Sequence, residues 1–181
     1  MIWIYMICGL LHSVLLPAND FTKYLFDTMI RIIEYEAKHH EDFRRLNLEW
    51  LEKYNLAESH DLEILDDPQE IILNGGGVIY MAEADNEIIG SAALMKETAG
   101  VYELAKMAVN SAWQGRGISK MLLEKCLDTA RSRNAKKVTL YSNSQLQTAL
   151  NLYKKYGFYP ISAENSPFVT ADVRMELILS E

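Results

Sequence analysis

A chain of 181 residues is long enough for one domain with its own core and too short for two ordinary ones. Hydrophobic residues at 49% and charged residues at 24% match a globular composition and exclude disorder throughout. Lys and Arg number 18 against 25 Asp and Glu, a formal charge of −7, which argues against a nucleic-acid partner because a phosphate-tracking surface needs clustered positive charge. The two cysteines, Cys8 and Cys126, are far apart, so neither a disulfide framework nor a zinc module is indicated and a reducing, cytoplasmic setting is expected.

Residues 1–18 are apolar apart from His12 and Ser13, and Asp20 is the first charged side chain. A signal peptide requires a positive n-region and a small-x-small cleavage site, and neither is clear here. A spanning helix requires about 20 apolar residues, and Pro17 stands near the end of this run. A membrane anchor is therefore not favoured. Residues 1–28 read as an apolar extension outside the domain, and residues 29–181 as the domain itself.

Residues 30–36 are short and β-branched, a strand, and residues 38–54 carry Phe43, Leu46, Leu48, Trp50 and Leu51 among charges, an amphipathic helix. Residues 56–66 carry no signature and read as loop. Asp67 caps a short helix that has Pro68 at its first position and runs to Ile72, where Asn74-Gly75-Gly76-Gly77 ends it. Residues 78–84 and 87–95 form a hairpin about Asp85-Asn86, and residues 101–109 a further strand. Helix returns over 117–132, with Ile118, Met121, Leu122, Cys126 and Leu127 on one stripe. Residues 137–142 read as a buried strand, 146–156 as a helix and 173–179 as a last strand. Strands outnumber helices in mixed order, which predicts a mixed α/β sheet rather than a pure βαβ series.

The chemistry concentrates where the strand ending at Val109 leads into Gln114-Gly115-Arg116-Gly117-Ile118-Ser119 and then a helix. Glycines at 115 and 117 remove Cβ obstacles, so backbone N–H groups can converge on one point. The helix start adds unpaired amides and a positive dipole end. Together these make a phosphate cradle, to which Arg116 and Lys120 add charge. A short glycine motif is equally an ordinary loop before a helix. This one is neither a Walker A loop nor a clean G-x-G-x-x-G.

Gln114-x-x-Gly117-x-Ser119 resembles the pyrophosphate-binding signature of the GNAT superfamily of N-acetyltransferases, Gln/Arg-x-x-Gly-x-Gly/Ala. Ser119 departs from the last position but is still small. Downstream, Ala149-Leu150-Asn151-Leu152-Tyr153-Lys154-Lys155-Tyr156-Gly157-Phe158 resembles the family's A-x-x-L-Y-x-x-x-G-F segment. The resemblance covers the chain from about Ile30 onward. It implies an α/β (α+β) fold with a mixed, mostly antiparallel central sheet flanked by helices. It also implies transfer of an acetyl group from acetyl-CoA, as co-substrate, to a primary amine by direct attack.

On the same resemblance, the backbone of Met107, Ala108 and Val109 pairs with the pantetheine arm like a missing strand. Gln114, Gly115, Arg116, Gly117, Ile118, Ser119 and Lys120 hold the pyrophosphate. Tyr153 matches the thiolate-protonating tyrosine; as a bare residue it is also a half-buried helix aromatic. Asn143, at a strand end, reads either as a coenzyme contact or as a capping asparagine. Strand alternation puts Glu103 on one face with Val101, Ala105, Met107 and Val109. A carboxylate among apolar neighbours has a raised pKa, which suits a general base, as some family members use an acid on this strand. The alternative is a substrate-binding or edge-exposed Glu, and a bulge would undo the facing argument.

His39-His40-Glu41-Asp42 has no i, i+4 His pair for a metal and reads as solvated helix surface. The expected partners are acetyl-CoA and a small-molecule or peptide amine, the latter in a pocket formed by the first helices and the loops of residues 56–66, with a homodimer left open. A non-catalytic acyl-CoA-binding or interaction domain on the same scaffold is the alternative function.

Overall fold

The computed structural model describes residues 29–164 and 166–179; residues 1–28, and with them the expected extension, lie outside that range. In chain order come strand β1 (Arg31–Glu34), helices α1 (His40–Lys53) and α2 (Ser59–Asp66), and strands β2 (Val78–Ala84), β3 (Glu87–Thr98) and β4 (Val101–Val109). Helix α3 (Ile118–Ser132), strand β5 (Lys137–Ser142), helix α4 (Gln147–Lys155) and strands β6 (Tyr159–Ile161) and β7 (Val173–Ile178) follow. The strands form one seven-stranded sheet in the order β1-β2-β3-β4-β5-β7-β6. Neighbours are antiparallel except β4 and β5, which run parallel. The mixed, mostly antiparallel sheet flanked by helices is thus the fold observed.

Alternation along the strands builds two cores, one on each face. In β2, Val78, Tyr80 and Ala82 point toward Leu122, Leu123 and Cys126 of α3 and Leu150 of α4. Ile79 and Met81 point the other way, toward Phe43, Leu46 and Leu51 of α1 and Ile64 and Leu65 of α2. Covering both faces explains why β2 and the middle of β3 read as nearly continuous apolar runs. Each fully buried Leu or Ile here contributes about 1.5–3 kcal/mol of transfer free energy. The β2–β3 hairpin turns at Asp85 and Asn86, whose φ values of 50° and 64° are the positive pair that a type I′ turn requires.

Several expectations change. Residues 56–66 are not all loop: α2 forms there, opened by a reciprocal pair in which the Glu58 amide donates to the Asp61 carboxylate at 3.2 Å. The segment after Pro68 is a π-helical turn, Gln69–Asn74, rather than an ordinary helix start. β6 carries Pro160, which a strand tolerates only at an edge, and β6 is an edge of this sheet. His39 and His40 are structural rather than solvated. His39 is 5% exposed and its Nδ1 accepts from the Glu36 amide at 3.0 Å, while His40 Nε2 lies 2.9 Å from the Leu65 carbonyl.

The most consequential change is a bulge in β4. Ala105 pairs with Ala93 and Ala108 with Ser91, so Lys106 and Met107 share the space opposite Ala92 alone. Lys106 sits at φ 49°, which few side-chain-bearing residues adopt. The strand rotates there, and its faces exchange. Met107 and Val109 pack against the α3–α4 core, whereas Ala108 joins the α1–α2 core. Glu103, paired with Met95 of that second core, therefore shares a face with Ala105 and Ala108. The expected common face with Met107 and Val109 is corrected by that single inserted residue.

The bulge is held from two directions. Ser91 Oγ donates to the Lys106 carbonyl at 3.1 Å, and Asn47 Nδ2 of α1 donates to Ser91 Oγ at 3.1 Å. Both polar side chains are fully buried. Asn47 Nδ2 and Ser91 Oγ thus keep partners, as buried polar groups usually do, whereas Asn47 Oδ1 is left without one.

Candidate active site

β4 and β5 pair only from Val101–Lys137 to Glu103–Thr139, and beyond that point they diverge. A cavity of about 780 Å³ fills the gap, within the usual range of small-molecule sites of about 300–1,000 Å³. Its wall draws on both faces: Trp50 and Asp61 from α1 and α2, Ser119 and Tyr153 from α3 and α4, and β4 between them. The gap makes one chamber of what the sheet otherwise separates.

At its α3 end, Gly115 has φ 78° and Gly117 φ 80°, both left-handed. A Cβ at either position would meet nothing within 4 Å, so the backbone faces open space there. Gly117 is the N-cap of a 15-residue helix, which brings its free amides and dipole to the same place. Gln114, Ile118, Ser119 and Lys120 line the cavity as well, with Gln114 Nε2 bonded to the Val109 carbonyl at 3.3 Å. Lys120 Nζ is 3.8 Å from Glu124. Arg116 is not on the wall; its guanidinium lies over the Trp113 ring at 4.6 Å.

Met107, Ala108 and Val109 lie past the last β4–β5 pair, on the strand edge that borders the gap. Asn143 sits where β5 ends, on the cavity wall. Its Nδ2 donates to the Thr170 carbonyl at 2.6 Å and its Oδ1 accepts from the Gln145 amide at 2.9 Å. That is a turn asparagine which also ties down the segment before β7. Glu58 holds the same segment by accepting from the Val169 and Thr170 amides at 2.9 and 2.6 Å.

Tyr153 borders the cavity from the α3–α4 face, 8% exposed, with its ring centroid 5.9 Å from that of Phe158. Burial, reinforced by neighbouring Cys126, pushes its phenol well above the usual tyrosine range. Glu103 borders it from the α1–α2 face. Burial lifts its carboxyl to about 7, helped by the charge of Glu97, while Lys106 and Arg174 pull the other way and Asp61 adds to the rise.

The first helices and residues 56–66 were expected to form the acceptor pocket, but the sequence did not single out the residues that line this end, Trp50, Tyr54, Asp61, Lys106 and Phe168. Lys106 and Asp61 form a buried ion pair, with side chains 5% and 7% exposed. The signal was Lys106 itself, a second charge after Glu103 inside a mostly apolar strand, which demands a partner when buried.

A mostly antiparallel sheet that splays at its single parallel pair, with a helix N-terminus opening on the splay, is the architecture that the family resemblance implied. The chain matches the model of the Acetyltransferase (GNAT) family over residues 35–158 and belongs to that family. It is 28% identical over 120 residues to the uncharacterized N-acetyltransferase YvbK of Bacillus subtilis, a match covering 65% of this chain and 77% of that one. It is 33% identical over 104 residues to the uncharacterized N-acetyltransferase Mb2688 of Mycobacterium bovis, covering 58% of this chain and 62% of that one.

Among solved structures, an acetyltransferase of the GNAT family from Staphylococcus aureus Mu50 superposes with a TM-score of 0.76 at 22% identity, over 84% of this chain and all of that one. The PaiA N-acetyltransferase of Thermoplasma acidophilum, solved in complex with coenzyme A, does so with a TM-score of 0.66 at 19% identity, over 83% and 99%. No helix among the described residues is long and apolar enough to cross a membrane.

Proposed function

We propose that the protein transfers an acetyl group from acetyl-CoA to a primary amine by direct attack of the amine on the thioester. The observation that carries this reading is the splay cavity. It joins an amide cradle at one end to a carboxylate and a phenol that approach from opposite faces of the sheet. The coenzyme in the Thermoplasma structure supports a coenzyme A donor, since that protein shares the fold.

In this reading, residues 114–120 hold the pyrophosphate through backbone amides, as a helix start with flanking glycines does for anions generally. The free edge of β4 at Met107, Ala108 and Val109 bonds the pantetheine amides in place of the strand that β5 ceases to supply. Asn143 steadies the far wall. The C–N bond forms at the acetyl carbonyl carbon and the C–S bond breaks. The amine gives its proton to Glu103, and the departing thiolate takes one from Tyr153. A carboxyl near 7 is matched to the first task, and a phenol that stays protonated at neutral pH to the second. Cys126, a buried free thiol, fits the reducing cytoplasmic setting expected from the cysteine pattern.

Calorimetry with acetyl-CoA, followed by release of free thiol on adding primary amines, tests the proposal. Saturable binding and amine-dependent release are expected. Binding without release for any amine would leave a coenzyme A-binding domain and reject the catalytic role.

A further inference from the structure

At the α1–α2 end the cavity is bounded by the rings of Trp50, Tyr54, Tyr141 and Phe168, with Glu103, Asp61 and Lys106 between them. Lys106 is ion-paired to Asp61, and its ammonium lies over the Phe168 ring at 5.4 Å. Two carboxylates therefore stand against one ammonium, and that ammonium is already taken. Among the described residues, the other lysines on the cavity wall are Lys120 and Lys155, on the helices of the opposite face. Lys53 and Arg174 lie over the Tyr54 and Tyr141 rings at 5.6 and 5.2 Å and are not on the wall. The Trp50 indole N–H and the Tyr54 and Tyr141 hydroxyls at this end are neutral donors.

We propose that Asp61 determines acceptor specificity: by holding Lys106 it withholds the one ammonium on the wall at the acceptor end, so the protein takes a primary amine on an apolar or aromatic body and rejects the same amine bearing a carboxylate on the adjacent carbon. The proposal rests on the acetyl-transfer reading. Its physics is that of a desolvated anion. A carboxylate entering this end loses its water and faces Glu103, a like charge, while the Lys106 ammonium is held by Asp61 and the Arg174 guanidinium lies over the Tyr141 ring, off the wall. An aromatic body instead packs on four rings and carries its neutral amino group to Glu103, which takes the one proton lost on attack.

The test compares 2-phenylethylamine, phenylalaninamide and phenylalanine as acceptors for the full chain at saturating acetyl-CoA, with rates referred to the neutral fraction of each amine. The first two should agree within about tenfold, and phenylalanine should fall about 100-fold below them in kcat/KM, the size of a like-charge penalty of a few kcal/mol. Asp61→Asn releases the Lys106 ammonium and should narrow the gap by about tenfold, whereas Lys106→Met leaves Asp61 alone and should widen it. A merely structural pair would not move the ratio in opposite directions. Should Asp61→Asn fail to fold, the double variant Asp61→Asn/Lys106→Met leaves no buried unpaired charge and should keep the parent preference.

Phenylalanine turned over as well as 2-phenylethylamine, or a ratio indifferent to both single variants, overturns the proposal. Acetyl-CoA binding measured on the same protein separates the two levels. Intact binding with no turnover of any of the three amines rejects the acceptor class, and absent binding rejects the acetyl-transfer reading beneath it.

Discussion

Glu103 and Tyr153 border one cavity from opposite sides of a sheet that would normally keep them apart, and each is set by its surroundings. The Glu103 carboxyl, lifted to about 7 chiefly by burial, must be ionised to take a proton. Referred to the neutral fraction of the amine, the kcat/KM of the parent should therefore rise with pH and level off above about 7, and Glu103→Gln should lower the rate and abolish that acidic limb. Stability carries the opposite sign. A carboxyl whose folded pKa exceeds its unfolded value keeps a proton in the native state that the unfolded chain releases. Its cost therefore grows as pH rises from about 4.5 to about 7. Glu103→Gln should raise Tm more at pH 8 than at pH 4, which scanning calorimetry at the two pH values checks. For Tyr153, removal of the hydroxyl in Tyr153→Phe keeps the ring against Phe158 and deletes the proton. Turnover should drop about 100-fold with acetyl-CoA affinity nearly unchanged; a full-rate variant would assign thiolate protonation to water.

The decisive elements are a loop and a bulge. Gly117 combines a left-handed φ of 80° with open space at its absent Cβ. Gly117→Glu places a side chain and a negative charge where the phosphates are expected, and strains the backbone by about 1–2 kcal/mol. Calorimetry should find acetyl-CoA binding lost, while Gly117→Asn, which tolerates the same φ, should retain part of it. The motif around Gly117 was legible because it is local: a loop's φ requirement is written in its own residues. The bulge was not. Lys106 and Met107 look like any pair in a strand. Their displacement depends on Ser91 of β3 and Asn47 of α1, whose bonds capture the Lys106 carbonyl. The facing of Glu103 followed from a one-residue register change that alternation within β4 cannot report.

For the whole molecule, the sheet from β1 to β7 and both helical layers are built within residues 29–179. A chain begun at Met29 should therefore fold with a single cooperative transition and bind acetyl-CoA as the full chain does, by calorimetry and thermal denaturation. Aggregation of that shorter chain would make residues 1–28 part of the fold rather than an extension. The cavity also belongs to this scale. It exists because one parallel pair, β4 with β5, separates after Glu103, which opens a passage between two otherwise independent cores.

By itself the sequence determined what short-range rules control. The β2–β3 hairpin followed from a turn pair suited to positive φ, the stripe of α3 from helical period, and the family from two spaced motifs. Only the tertiary structure decided which groups meet. Asp61 and Lys106 are 45 residues apart, on elements joined by packing alone, and α2 was not recognised because eight residues with a Glu cap carry little signal. Periodicity tells a side chain that it must be buried. It does not tell a buried charge which partner the fold will bring, because that depends on strand order, register and the splay of β4 from β5.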